Sequence, residues 1–187
     1  MKTIAITGYK AHELGIFDQK HQGIRFIKKA LEQRIRELVD DGIEWFIISG
    51  QLGVELWAAE VVIDLKKEYP HIQLAVLTPF LNQEERWQET TKLFYTEIIN
   101  QADFVDSITK RPYENPTQLR LKNEFIISKA DGLLILFDED KPGSPLYYLD
   151  IAKKKQEKND FPIILITPQD LDLLVQDEIH ENPKNWT

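Results

Sequence analysis

Two short glycine-containing segments hold the residues of this sequence best suited to bind an anion. The first is Ser49-Gly50-Gln51-Leu52-Gly53-Val54-Glu55, with its glycines at G-x-x-G spacing ahead of an apolar, helix-like run. A tight turn that feeds directly into a helix leaves backbone N–H groups without intrahelical partners. Those donors and the helix dipole converge on one point, which suits a phosphate. The spacing is not that of a P-loop, because no Gly-Lys-Ser/Thr follows. Nor is it the dinucleotide fingerprint, which follows the first strand of its unit and has an acid at the end of the next strand. Here the next strand ends in Thr78-Pro79. The second segment is Pro142-Gly143-Ser144-Pro145, a glycine turn into a helix with Ser144 at the N-cap. Two such turns on one edge would grip a two-phosphate ligand from both sides. On this reading, a bulky residue in place of Gly53 abolishes binding and leaves the protein folded.

Other residues at strand ends could complete such a site. In Gly8-Tyr9-Lys10, Gly8 permits close backbone approach, Tyr9 could stack on a base and Lys10 could meet a phosphate; the alternative is a solvated turn. Glu55 also has two readings. A carboxylate in a first helical turn is stabilised by the dipole, typically by about 0.3–1 kcal/mol. If the site binds a nucleotide, Glu55 instead faces ribose hydroxyls or a reacting carbon, and is then the best candidate for a general acid or base. Arg111 offers a fork for phosphate or carboxylate and Tyr113 a flat face, in a loop stiffened by Pro112 and Pro116; a rigid connector is the other reading. The acidic run Asp138-Glu139-Asp140 either holds Mg²⁺ through a phosphate or is a solvated loop. The four histidines, His12, His21, His71 and His180, lack zincin spacing, and no G-x-S-x-G elbow occurs. No metal site is expected.

The elements that must position these residues alternate along the chain. Apolar runs of strand length occur at 3–7, 44–49, 72–78, 103–108, 132–137 and 162–167. They are apolar at nearly every position, as strands covered on both faces are. Between them lie segments with helical spacing. Ile24, Ile27, Leu31, Ile35 and Leu38 recur at steps of three and four. Further helices are expected at about 54–69 (apolar almost all round), at 84–101, from Pro116 with Leu119, Phe125 and Ile126 inward, and from Pro145 to Lys153-Lys154-Lys155. Trp45 and Trp57 read as core. The alternation predicts the α/β class: one doubly wound parallel sheet of about six strands with helices on both faces. Ligands of such sheets bind outside the carboxyl ends of the strands, at the switch in strand order. The expected division is a domain over 1–168 and a short C-terminal helix and tail over 169–187, frayed from His180 onward.

Composition narrows the function classes. The 187 residues suit one domain. The absence of Cys excludes disulfides, thiolate zinc sites and thiol catalysis. A net charge of −8 weighs against a broad nucleic-acid or anionic-membrane surface, so nucleic acid is not an expected partner. The apolar run at the start is too short for a signal-peptide core, and no run approaches a membrane span. A soluble, cytoplasmic protein is expected.

Taken in order, Ile6-Thr7-Gly8-Tyr9-Lys10, the long segment Ser49 to Glu60, Thr78-Pro79-Phe80, Arg111-Pro112-Tyr113-Glu114 and Gly143-Ser144-Pro145 resemble the bacterial YpsA family, from Met1 to about Thr167. That family lies in the SLOG superfamily of Rossmann-like folds. Its relatives include the LOG phosphoribohydrolases and the Rossmann-like domain of the DNA-processing protein DprA. The resemblance implies a nucleotide-type ligand, ADP-ribose or NAD, bound by a sensor or adaptor with a link to cell division and a candidate homodimer. Gly50, Gln51, Gly53 and Glu55 match its glycine-rich motif, and Gly143 and Ser144 stand where its relatives have a second; with the residues read above, the expected ligand contacts are Gly8, Tyr9, Lys10, Ser49, Gly50, Gln51, Gly53, Glu55, Thr78, Pro79, Arg111, Tyr113, Gly143 and Ser144. The alternative is an N-glycosidic-bond-cleaving phosphoribohydrolase with Glu55 catalytic. The sequence departs from the hydrolases at Gly143-Ser144, where they have a Gly-Gly-x-Gly-Thr run followed by a catalytic glutamate. Here no carboxylate stands on the first turn of the following helix.

Overall fold

The apolar runs pair into one sheet whose centre is the first and fifth of them. The structure, a computed structural model, describes residues 1–182 and 184. Among these are six strands: β1 (Thr3–Thr7), β2 (Trp45–Ile48), β3 (Gln73–Thr78), β4 (Phe104–Ser107), β5 (Gly132–Leu136) and β6 (Ile163–Ile166). All neighbours pair in parallel, in the order β4-β3-β2-β1-β5-β6. Ile4, Ala5 and Ile6 of β1 and Leu133, Leu134 and Ile135 of β5 are buried, as central strands require. The outer β4 leaves Phe104 and Val105 exposed.

Six helices cover the sheet: α1 (Gln22–Asp40), α2 (Val54–Leu65), α3 (Glu89–Gln101), α4 (Thr117–Lys129), α5 (Pro145–Gln156) and α6 (Pro168–Glu181). α1 packs against α2 and α6, and α2 against α3; α4 and α5 pack together on the other face. The stripe read from α1 is all buried, and α2 is buried at Val54, Leu56, Trp57, Ala58, Ala59, Val61 and Val62. The chain steps outward from β1 to β4, then crosses back through α4 to β5 beside β1. The switch in strand order therefore lies between β1 and β5, and the turns after β1, β2 and β5 gather there.

Three expectations about elements are revised. The third helix starts at Glu89 and not near Glu84, because Gln88 is extended, with ψ 151°, and separates the helix from the turns over 81–86. α4 buries Ile126 but not Phe125. Phe125 and Leu121 are 39% and 40% exposed, whereas Gln118, Lys122 and Asn123 face inward. Gln118 explains part of this. Its side-chain oxygen accepts from the Glu114 and Asn115 amides, and its amide donates to Thr109 Oγ1 and the Pro112 carbonyl, so it organises the whole β4–α4 loop. The C-terminal helix is longer than expected. It is capped by Thr167, buries Leu174 and stays helical through Glu181, so His180 is not frayed; Pro183 and Asn185 to Thr187 lie outside the described residues.

The lysine run at the end of α5 serves a neighbour as well as its own helix. Lys155 Nζ donates to the Ile127 and Ala130 carbonyls at the C-terminus of α4, at 2.7 Å each, and lies 4.7 Å from the Phe161 ring centroid. One cation thus satisfies carbonyls that α4 cannot bond internally. Lys155→Met is expected to lower stability by about 1.5–3 kcal/mol, the range for hydrogen bonds to a charged group, in urea unfolding followed by circular dichroism.

Candidate functional site

At the carboxyl edge of the sheet the best-defined group is Glu55, in the first turn of α2. It is 1% exposed. One oxygen accepts from the Ser49 amide at 2.7 Å and the Ser49 hydroxyl at 2.8 Å, and the other from the Thr7 hydroxyl at 2.9 Å. These bonds tie the ends of β1 and β2 to the start of α2. Both oxygens are committed inside the protein, so Glu55 presents no surface to a ribose or to a reacting carbon.

Beneath Glu55, from the opposite face, come Lys122 of α4 and Tyr148 of α5, 1% and 4% exposed. The Lys122 ammonium donates to the Tyr148 hydroxyl at 3.1 Å and lies 4.7 Å from its ring centroid. Burial pushes the Lys122 ammonium down to about 8; the Glu55 charge opposes this and the Lys10 charge adds to it. Burial first, and then the Glu55 charge, push the Tyr148 phenol well up, against the Ser49 hydroxyl that bonds to it. Neither residue was foreseen as part of the site. The signal was present: Lys122 falls in the Leu119, Lys122, Ile126 register of α4, where periodicity puts it on the inward side.

The first glycine turn packs against the loop after β1. Lys10 and Gly53 form an isolated antiparallel bridge, with the Ala11 amide donating to the Leu52 carbonyl and the Val54 amide to the Tyr9 carbonyl, each at 3.1 Å. Gly53 has φ 130°, and a Cβ there would come within 2.6 Å of the Ala11 nitrogen. A Cβ on Gly8 would lie 2.7 Å from that of Val54. These glycines are therefore required for the two turns to touch, and the expectation that Gly53 could be enlarged without harm to the fold is corrected. Gly50, with φ 84°, sits under Gln83 and Tyr95; Gln83 Nε2 donates to the Ser49 carbonyl at 2.9 Å.

What the turn leaves open is smaller than the whole segment. The Ser49 and Val54 amides are occupied. Among the described residues the amides of Gly50, Gln51, Leu52 and Gly53 meet no protein acceptor, and Gln51 and Leu52 are partly exposed. The half-buried Lys10 ammonium likewise has no acceptor among the described residues.

The second turn is already filled. Glu13 accepts from the Ser144 amide at 2.9 Å, from the Ser144 hydroxyl at 2.5 Å and from the Lys10 amide at 2.9 Å. Burial raises the Glu13 carboxyl, but the Ser144 hydroxyl and amide, the Lys10 amide and the Lys10 charge outweigh it and leave it below the usual range. Ser144 stands at the N-cap of α5 as expected, yet its hydroxyl serves Glu13 and not the helix. Tyr9 is 5% exposed, so its ring is no stacking platform. Its hydroxyl accepts from the Asp138 amide at 2.8 Å and donates to the Lys141 carbonyl at 2.6 Å, pinning the β5–α5 loop.

The remaining expected residues form a second group. Thr78 and Pro79 are buried at the end of β3. Exposed Arg111 pairs with Glu114, and its carbonyl accepts from the Leu81 amide; the Tyr113 ring lies 5.1 Å from that of Phe80. Gln83 joins the first turn to Tyr95 of α3. A groove of about 650 Å³ between α1 and α2 includes none of these residues. Its cations Arg25 and Lys28 are paired with Glu178 and Glu60. No cluster of His, Asp and Glu able to hold a metal occurs among the described residues, and no described helix is long and apolar enough to cross a membrane.

This geometry can be set beside known proteins. The family model described as the YspA SLOG family, YpsA, matches residues 4–171. The chain belongs to the YpsA family. A UPF0398 protein of Halalkalibacterium halodurans is 65% identical over 178 residues, 95% of this chain and 94% of that one. A UPF0398 protein of Bacillus cereus is 54% identical over 182 residues, 97% and 99% of the two chains. DNA processing protein A of Helicobacter pylori, described for its single-stranded DNA binding mode, superposes with a TM-score of 0.54 at 16% identity, covering 96% of this chain and 81% of that one. That likeness concerns the fold alone.

Two measurements check the packing described here. Gly53→Ala is expected to lower stability by about 2–4 kcal/mol in urea unfolding, because a left-handed φ and a backbone clash act together. For Lys122, whose folded value lies below that of the unfolded chain, the unfolded state binds more protons between the two values, so stability rises with pH there. The Lys122 contribution is expected to be on the order of 2 kcal/mol between pH 8 and 10, read as the difference between wild type and Lys122→Met, since the raised Tyr148 phenol works in the opposite direction near pH 10.

Proposed function

We propose that this protein binds a nucleotide-type ligand with a phosphate on the Gly50–Gly53 amides and acts as a sensor or adaptor. The observation that carries the reading is the run of four consecutive amides ahead of α2 with no protein acceptor among the described residues, next in the fold to the backbone of Lys10, whose ammonium has no hydrogen-bond acceptor among them. Donors at a helix N-terminus and a nearby cation favour an oxyanion. Gln51 is partly exposed in that run. ADP-ribose, NAD and AMP are the ligands to try.

The non-catalytic form of the proposal rests on Glu55, whose oxygens already accept three bonds within the protein. The phosphoribohydrolase alternative needs a carboxylate free to stabilise charge at the sugar, and Glu55 is not free. Isothermal titration with the three ligands tests the binding. Lys10→Ala is expected to weaken the best ligand about tenfold, the loss of roughly 1.4 kcal/mol. No heat with any ligand at high protein concentration, or an affinity indifferent to Lys10, overturns the reading. A single-stranded oligonucleotide belongs in the same titration, since the Helicobacter pylori protein that shares this fold binds single-stranded DNA.

A further inference from the structure

We propose that two copies of this chain meet at the open edge of the sheet, with β4 paired antiparallel to β4 of the second copy about a two-fold axis. A concentration of exposed apolar side chains at this edge points to it. Phe104 and Val105 are consecutive in β4 and are 49% and 42% exposed, and Leu121 and Phe125 of α4 are exposed as well. β6, at the opposite edge, exposes Leu165 alone.

The four side chains belong to one surface. Val105 is in register with Val76, which lies beside Gly50 and Tyr95 of α3, so Val105 points to the α3 face of the sheet. Phe104 precedes it and points to the opposite face, that of α4. Gln118, Leu121 and Phe125 stand at i, i+3 and i+7, one strip along α4. Gln118 bonds to Thr109 and Pro112 in the loop that leaves β4, so the strip runs down the β4 side of its helix. The edge is thus apolar on both faces of the strand and on the helix flank beside it.

An edge strand presents a row of backbone groups with no strand beside them, and monomers usually guard it with Lys, Pro or a bulge. β4 holds no Lys and no Pro, and its one charge, Asp106, is paired with Lys110. Two features make a second copy the occupant. A two-fold axis normal to the sheet sets each β4 against the other, with Phe104 and both α4 strips on one face and Val105 on the other. One operation therefore covers all four side chains. The charges match as well. Lys66–Asp103 stands at the start of β4 and Asp106–Lys110 at its end. Antiparallel pairing brings the start of one strand beside the end of the other, so each junction gathers two lysines and two aspartates, and no charge is left facing only its like.

Sedimentation equilibrium of the full chain tests the proposal, with wild type, Phe104→Lys, Phe125→Glu and, as a control at an exposed apolar residue of α6, Leu173→Lys; thermal melts establish that each is folded. Wild type is expected to be a dimer at micromolar concentration. Each edge variant should raise the dissociation constant at least tenfold, with Leu173→Lys unchanged. The chain has no Cys, so Phe104→Cys supplies a single cross-linking position. A short bis-maleimide is expected to link two copies of Phe104→Cys and not of Leu173→Cys, and this arm carries the test if a charged variant does not fold. A monomeric wild type overturns the proposal and leaves the edge to some other partner. A dimer that withstands both edge variants, or cross-linking no stronger at 104 than at 173, overturns it as well.

Discussion

The carboxylate of Glu55 decides the shape of the carboxyl edge of the sheet. A carboxylate taken out of water without partners is costly enough to change its protonation instead. Here it accepts a backbone amide and two hydroxyls, drawn from the ends of β1 and β2, at the start of a helix whose dipole favours negative charge. Each of those donors would be a buried unsatisfied group without it, at about 1–3 kcal/mol apiece. The bonds are mutual constraints. They fix how far Ser49 turns out of β2, and so where Gly50 begins the turn that follows.

Once that turn is placed, the glycines follow from packing. The β1 loop and the β2 turn approach closely enough to exchange backbone hydrogen bonds across Lys10 and Gly53, which no side chain at Gly53 or Gly8 would permit. Tyr9 then reaches under the β5–α5 loop and holds it through backbone groups of Asp138 and Lys141. Three turns after three strands become one body. Rigidity of this kind suits a site that reads a ligand, because little ordering is left to be done on binding.

Much of this architecture was legible in the sequence. The strands were uninterrupted apolar runs and the α1 stripe kept its period, so both came out as expected. The turn after β2 was found from its glycines, since few other residues fit such a place. What escaped was governed by side chains acting across long sequence separations. Glu55 looked exposed because a first-turn carboxylate usually is; its burial depends on Thr7, 48 residues earlier. Tyr9 looked like a stacking ring because the ends of its own loop gave no sign that a segment 129 residues later would close over it. α4 was read with Phe125 inward because apolar residues are assumed to win the core. They lost to Gln118 and Lys122, whose polar groups have defined partners at this edge and nowhere on the outer surface.

A pattern in the charges then bears on function. Two helices, α2 and α5, begin at the switch in strand order, and each has a carboxylate of the protein itself near its N-terminus, Glu55 and Glu13. They are not equivalent. Glu55 sits below its turn, sealed from solvent, and takes the amide of Ser49 but leaves those of Gly50 to Gly53. Glu13 is exposed and stands in the mouth of the other turn, on the donors an incoming anion would meet first. A buried anion shapes its turn without competing for the surface donors, whereas an exposed one competes directly. With Lys122 below Glu55 and Lys10 between the two turns, the field at this edge changes sign over a few residues.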